Sequence, residues 1–215
     1  MIPILDLLPA LLPGVGITVQ LTVLSACLAF VIAFVLGFAR LSKNSLIRIV
    51  ATAIVEFFRG TSLLVQLFWA YFVLPLFGVQ LSAMEAGIFI LGLHYGAYSS
   101  EVVRSSIMAI PKGQTEAGVA LNLTPLQIMF RIILPQAIVR MLPSFGNTLI
   151  EMLKGTALVS LITLSDLMFR GVLIRSTTFR TTETFTLVLL MYFVLALPLT
   201  IGVRWFESRM ARGRA

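Results

Sequence analysis

Charged side chains are scarce in this chain. Asp, Glu, Lys and Arg make up 12% of its 215 residues, whereas hydrophobic residues make up 59%. A soluble domain carries about 25% charged residues to cover its surface, so this composition excludes a soluble globular protein. The mean hydropathy of +1.02 indicates an all-α, polytopic membrane protein. The length leaves room for five or six spans of about 20 residues, but for no additional soluble domain.

Catalytic and metal-binding motifs are also missing. The sequence has no HExxH, no Gly-x-Ser-x-Gly and no Walker lysine loop, so it lacks the parts of an intramembrane protease or a self-contained ATPase. Its one histidine, His94, has no second ligand nearby, which argues against a metal site. Its one cysteine, Cys27, excludes an intrachain disulfide and is expected to be a small buried side chain. We therefore expect a protein that is not an enzyme and binds no cofactor or metal itself.

Apolar segments predict five transmembrane helices. They lie at about 15–38, 49–74, 83–107, 143–163 and 184–203. Lys and Arg are enriched in cytoplasmic loops. Eleven of them lie in the two loops and the carboxyl-terminal segment assigned to the cytoplasm, against three in segment 165–182. This bias places the amino terminus outside and the carboxyl terminus, with Arg204, Arg209, Arg212 and Arg214, in the cytoplasm. We expect 165–182 to be a partly helical external segment on the membrane surface, although its three arginines run against the charge rule.

One polar passage interrupts the apolar sequence on the cytoplasmic side. It is the loop 111–135, PKGQTEAGVALNLTPLQIMFRIILP. Thr115 to Leu121 can form about two helical turns, and Asn122 can adopt the left-handed conformation that ends a helix. Thr124 and Gln127, three residues apart, predict a capping box for the next helix, with a proline at its first position. Two short helices should therefore meet at a sharp corner.

This passage resembles the Glu-Ala-Ala loop of the membrane subunits of ABC importers. The matching residues, at the spacing of that loop, are Glu116, Ala117, Gly118, Asn122, Ile132, Leu134 and Pro135. Gly118 replaces the second Ala, which should loosen the helix by ~1 kcal/mol, and Asn122 replaces the turn glycine. The resemblance implies that the first helix inserts into a cleft of a cytoplasmic ATPase. The residues that would couple to the ATPase are Gln114, Thr115, Glu116, Ala117, Gly118, Ala120, Leu121 and Asn122. The alternative is an amphipathic elbow at the membrane interface.

Three of the predicted spans carry an acid followed three residues later by a base. The pairs are Glu56 with Arg59, Glu101 with Arg104, and Glu151 with Lys154. Each pair shares one face of a helix, and ionisable groups within a membrane face the bundle interior or a wet cavity. A pair can either bridge internally and steady the bundle or border a solute pathway. We predict the second role for the mid-span pair, Glu151 and Lys154. The predicted pathway residues are Glu56, Arg59, Gln66, His94, Tyr98, Asn147, Thr148, Glu151 and Lys154.

The resemblance extends to one subfamily within the importer class. Between residues 16 and 207 the chain is similar to the polar amino acid uptake subfamily. The runs that carry this similarity are Arg59-Gly60-Thr61 with Gln66, Gly96-Ala97-Tyr98 with Glu101 and Arg104, Ile110-Pro111-Lys112-Gly113-Gln114, and Leu134-Pro135-Gln136-Ala137 with Gly146-Asn147 and Leu153-Lys154. In relatives that carry cationic amino acids, acids often stand at two places that Thr148 and Gly155 hold here. The expected cargo is therefore a neutral or zwitterionic solute, including a compatible solute of the ectoine type.

That resemblance implies a type I ABC importer permease fold. The chain would be a single domain, 1–215, with a core at about 15–207, and a multi-pass protein of the bacterial cytoplasmic membrane. Its implied partners are two ABC ATPase subunits that hold ATP and Mg, a second permease subunit of the same or a sister kind, an external solute-binding protein and membrane lipid. Nucleic acid is not among them. The alternative function is a secondary carrier or channel driven by an ion gradient, which would need the same intramembrane charges but no docking loop.

Overall fold

The computed structural model describes residues 4–212, which contain helices and no strand. A 3-10 turn, Ile4–Leu7, precedes the first helix. The helices are α1 Leu8–Arg40, α2 Ser45–Gly60, α3 Leu63–Phe68, α4 Ala83–Met108, α5 Lys112–Ala120, α6 Pro125–Ile128, α7 Leu134–Gly155, α8 Leu167–Thr178 and α9 Thr181–Arg212. Helix α3 is extended by a π-helical turn, Trp69–Val73, and a 3-10 turn, Leu74–Phe77. Helix α6 is joined to α7 by another π-helical turn, Met129–Ile133, and α7 is followed by a 3-10 segment, Thr156–Ile162.

Helices α1 and α4 form the central pair of the bundle. Gly92 and Gly96 lie one turn apart on α4 and face Leu28 and Ile32 of α1. A Cβ at Gly96 would come within 2.8 Å of the Ile32 side chain and within 3.1 Å of the Ala29 carbonyl oxygen. Small residues of this kind allow two helices in a membrane to approach closely enough for extensive van der Waals contact. Around this pair, α7 packs on α4, α9 packs on α7, and α8 packs on α1.

The helix is broken within the segment predicted as the second span, 49–74. Helix α2 ends at Gly60, Thr61 is extended, and the helix resumes at Leu63 with a bend of 104° between the two halves. The amide of Gln66 donates hydrogen bonds to the carbonyl oxygens of Phe58 and Thr61 and to the Thr61 hydroxyl. These bonds satisfy groups that the break removes from the helical ladder. The sequence analysis did not predict this break, because apolar content does not reveal a break stabilised by a side chain.

The fourth predicted span, 143–163, belongs to a much longer helical rod. Helix α6, the π-helical turn and α7 run without a gap from Pro125, and with the 3-10 segment the rod reaches Ile162, 38 residues in all. The chain therefore passes Pro135 and Pro143 without a break in the helix. Proline removes one hydrogen bond and crowds the preceding turn, and the wider π-helical turn directly before Pro135 accommodates it.

Within the described part of the chain, three helical segments are long and apolar enough to cross a membrane. They are Leu8–Arg40, Pro125–Ile162 and Thr181–Phe206, and the bent pair Ser45–Gly60 with Leu63–Phe77 adds a fourth if it forms one span. Helix α4, predicted as the third span, is less apolar because it carries His94, Glu101 and Arg104. Ser82 and Glu85, three residues apart, form a capping box at its start.

Segment 165–182 is partly helical, as predicted, and its helix is anchored in the bundle. Asp166 and Leu167, at the start of α8, are fully buried. One oxygen of Asp166 accepts a hydrogen bond from the backbone N–H of Phe169, 2.8 Å, and the other accepts one from the hydroxyl of Tyr192 in α9, 3.2 Å. The Leu167 N–H donates to the hydroxyl of Thr18 in α1. These bonds tie α8 to two helices of the bundle.

Cys27 is exposed on α1, so the expectation of a buried side chain was wrong. Of the arginines predicted to mark the cytoplasmic carboxyl end, Arg214 lies outside the described residues.

Candidate functional site

The corner after α5 is closed by Asn122, as the sequence predicts. Asn122 has a φ of +55°, and its N–H donates to the carbonyl oxygen of Val119 at 2.9 Å. The N–H of Leu123 donates to the carbonyl oxygen of Gly118 at 3.0 Å. These two bonds form a Schellman motif, which satisfies carbonyl groups left free at the end of a helix. The left-handed Asn122 therefore ends the helix in the same way as the turn glycine that it replaces.

The predicted capping box opens the second helix of the corner. The Thr124 hydroxyl accepts from the Gln127 N–H at 3.3 Å, and the Gln127 carboxamide accepts from the Thr124 N–H at 2.9 Å. The first helix differs from the prediction, because α5 starts at Lys112 rather than Thr115 and has nine residues. Pro111 precedes α5 with a φ of −56° and a ψ of 138°, and because a proline tends to keep the residue before it out of a helix, Ile110 lies between α4 and α5 outside both helices.

Gly118 has a different role from the one expected. A Cβ at this position would lie 2.7 Å from Cγ1 of Ile128 and 3.3 Å from Cδ1 of Ile132. The missing side chain therefore lets α5 pack directly against α6 and the turn that follows it. The sequence predicted a looser helix at Gly118, but the glycine allows a tight corner.

The remaining predicted coupling residues are exposed. They are Gln114, Thr115, Glu116, Ala117, Ala120, Leu121 and Asn122. Val119, Leu121 and Leu126 are 61%, 71% and 70% exposed, respectively. We call these exposed residues of α5 and the corner, including Leu126, the coupling face. Exposed apolar side chains grouped with few charges are typical of a surface that binds another protein.

A charged network joins the carboxyl-terminal ends of α1 and α4. Glu101 accepts from Arg104, three residues away, and from Arg40 at the end of α1, in each case with a closest N–O distance of 2.6 Å. Arg104 also contacts the sulfur of Met108. The sequence predicted the bond between Glu101 and Arg104 but missed Arg40, which is 61 residues away along the chain. No local pattern could have indicated this partner.

A second polar cluster, which we call the break cluster, lies where α2 and α3 meet α4. The oxygen of the Gln66 carboxamide contacts Nδ1 of His94 at 3.1 Å. The Tyr98 hydroxyl donates to the Arg59 carbonyl oxygen at 3.2 Å, and the Arg59 guanidinium lies over the Tyr98 ring. Glu56 reaches Arg59 at 3.5 Å, although its side chain is 59% exposed. The structure thus brings five predicted pathway residues together, and Gln66 with His94 holds the break against α4.

The other predicted pathway residues follow one stretch of α7. Asn147, Glu151 and Lys154 are exposed and spaced to share a helix face. Glu151 and Lys154 form no ion pair with each other in the part of the chain that the structure describes. Thr148 instead lines a mainly apolar cavity of about 230 Å³ between α1, α4 and α7, and its hydroxyl donates to the Ser144 carbonyl oxygen.

Tyr95 connects α4 to the stretch on α7, and the sequence prediction of the pathway omitted it. Its hydroxyl donates to the Glu151 carbonyl oxygen at 3.1 Å. A side chain at Gly155 would collide with that hydroxyl. Tyr95 also packs edge-on against His94. The signal in the sequence was its place beside His94 in a span, but its partner on α7 could only be found in the folded chain.

The arrangement suits binding and transmission of movement better than chemistry. Among the described residues, no group of three His, Cys, Asp or Glu side chains could hold a metal ion. Two exposed features can bind other molecules: one is the acid and the base on α7, both within the predicted membrane region, and the other is the apolar coupling face on a short helix. The first pair can bind groups of opposite charge, and the second surface can bind a protein.

Comparison with known proteins gives one family and several close relatives. Residues 29–212 match the family described as "Binding-protein-dependent transport system inner membrane component". The chain is 44% identical over 215 residues to the "Probable amino-acid ABC transporter permease protein y4tF" of Sinorhizobium fredii, covering 97% of this chain and 90% of that protein. It is 36% identical to the "Probable glutamine ABC transporter permease protein GlnM" of Bacillus subtilis, over 76% of each chain.

Solved structures of ABC transporters share the fold of this chain. The chain matches the crystal structure of an amino acid ABC transporter with histidines at a TM-score of 0.90 and 34% identity, covering 97% of this chain and 99% of that one. It also matches the MetNI methionine ABC transporter in an inward-facing conformation, at a TM-score of 0.81 and 22% identity, over 95% and 98% of the two chains. The second likeness concerns the fold alone.

Proposed function

This chain belongs to the family of binding-protein-dependent transport system inner membrane components, and we propose that it carries an amino acid or a similar small zwitterion. It is a permease subunit of an ATP-driven importer, and ATP is hydrolysed by a separate subunit. Family membership also implies a solute-binding protein as a partner. The observation that carries the choice of cargo is the pair of unbridged opposite charges on α7.

The argument for the cargo begins with the energy of those charges. An ionised side chain near the middle of a bilayer costs about 2.5 to 3.5 kcal/mol on insertion scales. Glu151 and Lys154 are both exposed and do not bridge each other in the described structure. In the complex, a zwitterion would offer an ammonium or amidinium group to Glu151 and a carboxylate to Lys154. Thr148 and Gly155 add no further acid, which favours a solute without net positive charge, such as a neutral amino acid or an ectoine-type compatible solute.

We assign the rest of the pathway to the break cluster and the α7 stretch. Asn147 shares the α7 face with Glu151 and Lys154, and Thr148 lies beside it. The exposed Tyr98 and the half-buried Arg59 form the more accessible side of the break cluster, whereas Gln66 and His94 support it from within. Glu56 balances the charge of Arg59.

We assign the coupling face to an ATPase cleft. Closure of two ATPase subunits around ATP and Mg would move α5, and the continuous rod from α6 to α7 would carry that movement to Glu151 and Lys154. Support for this assignment comes from the exposure of the face, its apolar character and the tight corner at Gly118. A second permease subunit, the same or a sister chain, would complete the cavity.

The proposed topology has five spans, with the bent α2 and α3 pair as the second and α4 as the third. The amino terminus is then outside, the coupling face is in the cytoplasm, and α8 is outside. This arrangement places eleven Lys and Arg on the cytoplasmic side and three on the outer side, in agreement with the positive-inside rule.

Uptake by the complete complex in proteoliposomes tests the proposed cargo. Binding protein and ATP should drive uptake of a neutral amino acid or ectoine, and arginine should be carried poorly. The swap Glu151→Lys with Lys154→Glu should raise the KM for uptake at least tenfold, because each charge then meets the wrong end of the solute. The control is Glu183→Gln, an acid at the start of α9 that pairs with Arg180.

Two results would contradict the proposal. If the swapped complex transports with the parental KM, Glu151 and Lys154 do not contact the cargo. If uptake continues without ATP and follows an ion gradient, the chain works as a secondary carrier instead.

A further inference from the structure

Helix α8 is a rigid support with an exposed end. Its first residues are buried and hydrogen-bonded to α1 and α9, and Gly171 lies against Val188 of α9. Arg170 donates to the Ala10 carbonyl oxygen at 3.3 Å. The last turn, by contrast, consists of exposed residues from Arg175 to Phe179. Because the first residues of α8 are held firmly, the helix can present its last turn to another molecule in a fixed orientation.

Phe179 at that end is unfavourable in two respects. It has a φ of +59°, a left-handed conformation that bulky side chains rarely adopt and that glycine adopts freely. Its side chain is also 86% exposed, so the ring gains little from burial. Residues held in strained conformations are concentrated at functional sites.

The other two non-glycine residues with positive φ among the described residues have evident reasons for it. Asn122 belongs to a residue type that tolerates this conformation and closes the coupling corner. Thr163 contacts the Tyr71 hydroxyl through its own hydroxyl at 3.2 Å. Phe179 has neither explanation. Its backbone N–H donates to the Arg175 carbonyl oxygen at the end of α8, and a glycine would make the same hydrogen bond without strain.

The charge near Phe179 is unusual for the proposed outer side of the membrane. Arg175 precedes Phe179 by one helical turn and is exposed. The positive-inside rule disfavours arginine in short outer loops. Of the other two arginines in this segment, Arg170 donates to the Ala10 carbonyl oxygen and Arg180 pairs with Glu183. An exposed cation beside an exposed aromatic ring offers both anchors that protein interfaces favour.

We propose that Arg175 and Phe179, together the α8 tip, dock the solute-binding protein, with Phe179 in an apolar socket and Arg175 against an acid on its rim. This inference rests on the proposed function, because it requires α8 to lie outside. It favours a protein partner over lipid, since an aromatic side chain that only anchors to the membrane interface is more often Trp or Tyr and needs no strained backbone.

The test uses the full transporter in nanodiscs and its solute-binding protein, purified and fluorescently labelled. Phe179→Gly should weaken binding at least tenfold, yet raise the Tm by about 2 °C or more because strain is relieved. Arg175→Glu should weaken binding and reduce its dependence on salt. The matched control is Phe77→Ala, another exposed aromatic residue beyond α3, which should bind like the parent.

Each outcome separates this inference from the function on which it rests. If the parent complex binds the protein and Phe179→Gly binds equally well, the α8 tip is not the docking surface. If Phe179→Gly lowers the Tm and does not alter binding, the ring stabilises the fold or its contact with lipid. If the parent complex does not bind the protein at all, the importer assignment fails instead.

Discussion

At the scale of single residues, Asp166 is the clearest case of a buried ionisable group outside the predicted spans. Burial raises the pKa of its carboxyl to about 6, although hydrogen bonds from the backbone at Phe169 and from Tyr192 act in the opposite direction. The ordinary value is 3.8. The folded state therefore binds a proton more readily than the unfolded state.

This difference predicts that stability falls with increasing pH. Between about pH 4 and pH 6 the folded state holds more protons, so the free energy of unfolding should fall across this window, by up to about 3 kcal/mol, and then level off. Asp166→Asn keeps a hydrogen-bonding side chain at the start of α8 but cannot ionise. Thermal unfolding in detergent from pH 4 to pH 8 should therefore show a weaker decline for Asp166→Asn. Equal slopes for the two proteins would show that Asp166 does not titrate in this range.

The carboxylate of Glu101 shows how far a residue's partners can lie from it in sequence. Arg104 was predictable from helix geometry, since residues three apart are neighbours. Arg40 was not, because its contact depends on how closely α1 approaches α4. The close approach follows in turn from Gly92 and Gly96.

At the scale of elements, the corner between α5 and α6 depends on a missing side chain. A glycine within a helix costs about 1 kcal/mol relative to alanine, so propensity alone favours replacing it. At Gly118 the new methyl group would meet Ile128 at 2.7 Å. Overpacking of this kind typically costs about 1–3 kcal/mol, which is enough to outweigh the gain in propensity.

Two alanine substitutions in α5 separate packing from propensity. Gly118→Ala should open the corner and reduce ATP-driven uptake severalfold, while the protein still enters the membrane. Gly113→Ala is the matched control, because a Cβ there meets nothing within 4 Å, and it should preserve uptake. Uptake and ATP hydrolysis are measured side by side in the same proteoliposomes. Parental uptake by Gly118→Ala would mean that the tight corner is not needed for coupling.

At the scale of the whole molecule, the number of membrane crossings depends on α4 and on the bent α2 and α3 pair. Within residues 4–212, length and apolar composition identify three spans, or four with the bent pair. The five-span proposal adds α4, whose polar residues are turned toward α1, α2 and α7. A central helix surrounded by others can carry more polar groups than one that faces lipid, because its neighbours supply hydrogen-bond partners.

Cysteine labelling tests this topology directly. Replacement of the only cysteine, Cys27, by serine gives a blank background. Single cysteines at Val79 and Thr177 should react with a membrane-impermeant maleimide from outside. A cysteine at Lys43 should react only after the membrane is permeabilised. If positions 43 and 79 were labelled from the same side, the bent pair α2 and α3 would not cross the membrane.

The sequence by itself determined the features that depend on a few adjacent residues. The left-handed Asn122, the capping boxes at Thr124 and Ser82, and the polar corner between apolar helices all follow from local backbone and side-chain chemistry. The family could also be identified from these motifs. Their energies involve groups within about one turn of each other, so the rest of the chain hardly alters them.

Only the tertiary structure decided which distant groups meet. The break after Gly60 is held by Gln66 and His94, Gly118 packs against Ile128, and Arg40 reaches Glu101. Each of these depends on the distance and angle between helices. Those are set by the sum of many side-chain contacts across the bundle, which no local stretch of sequence contains.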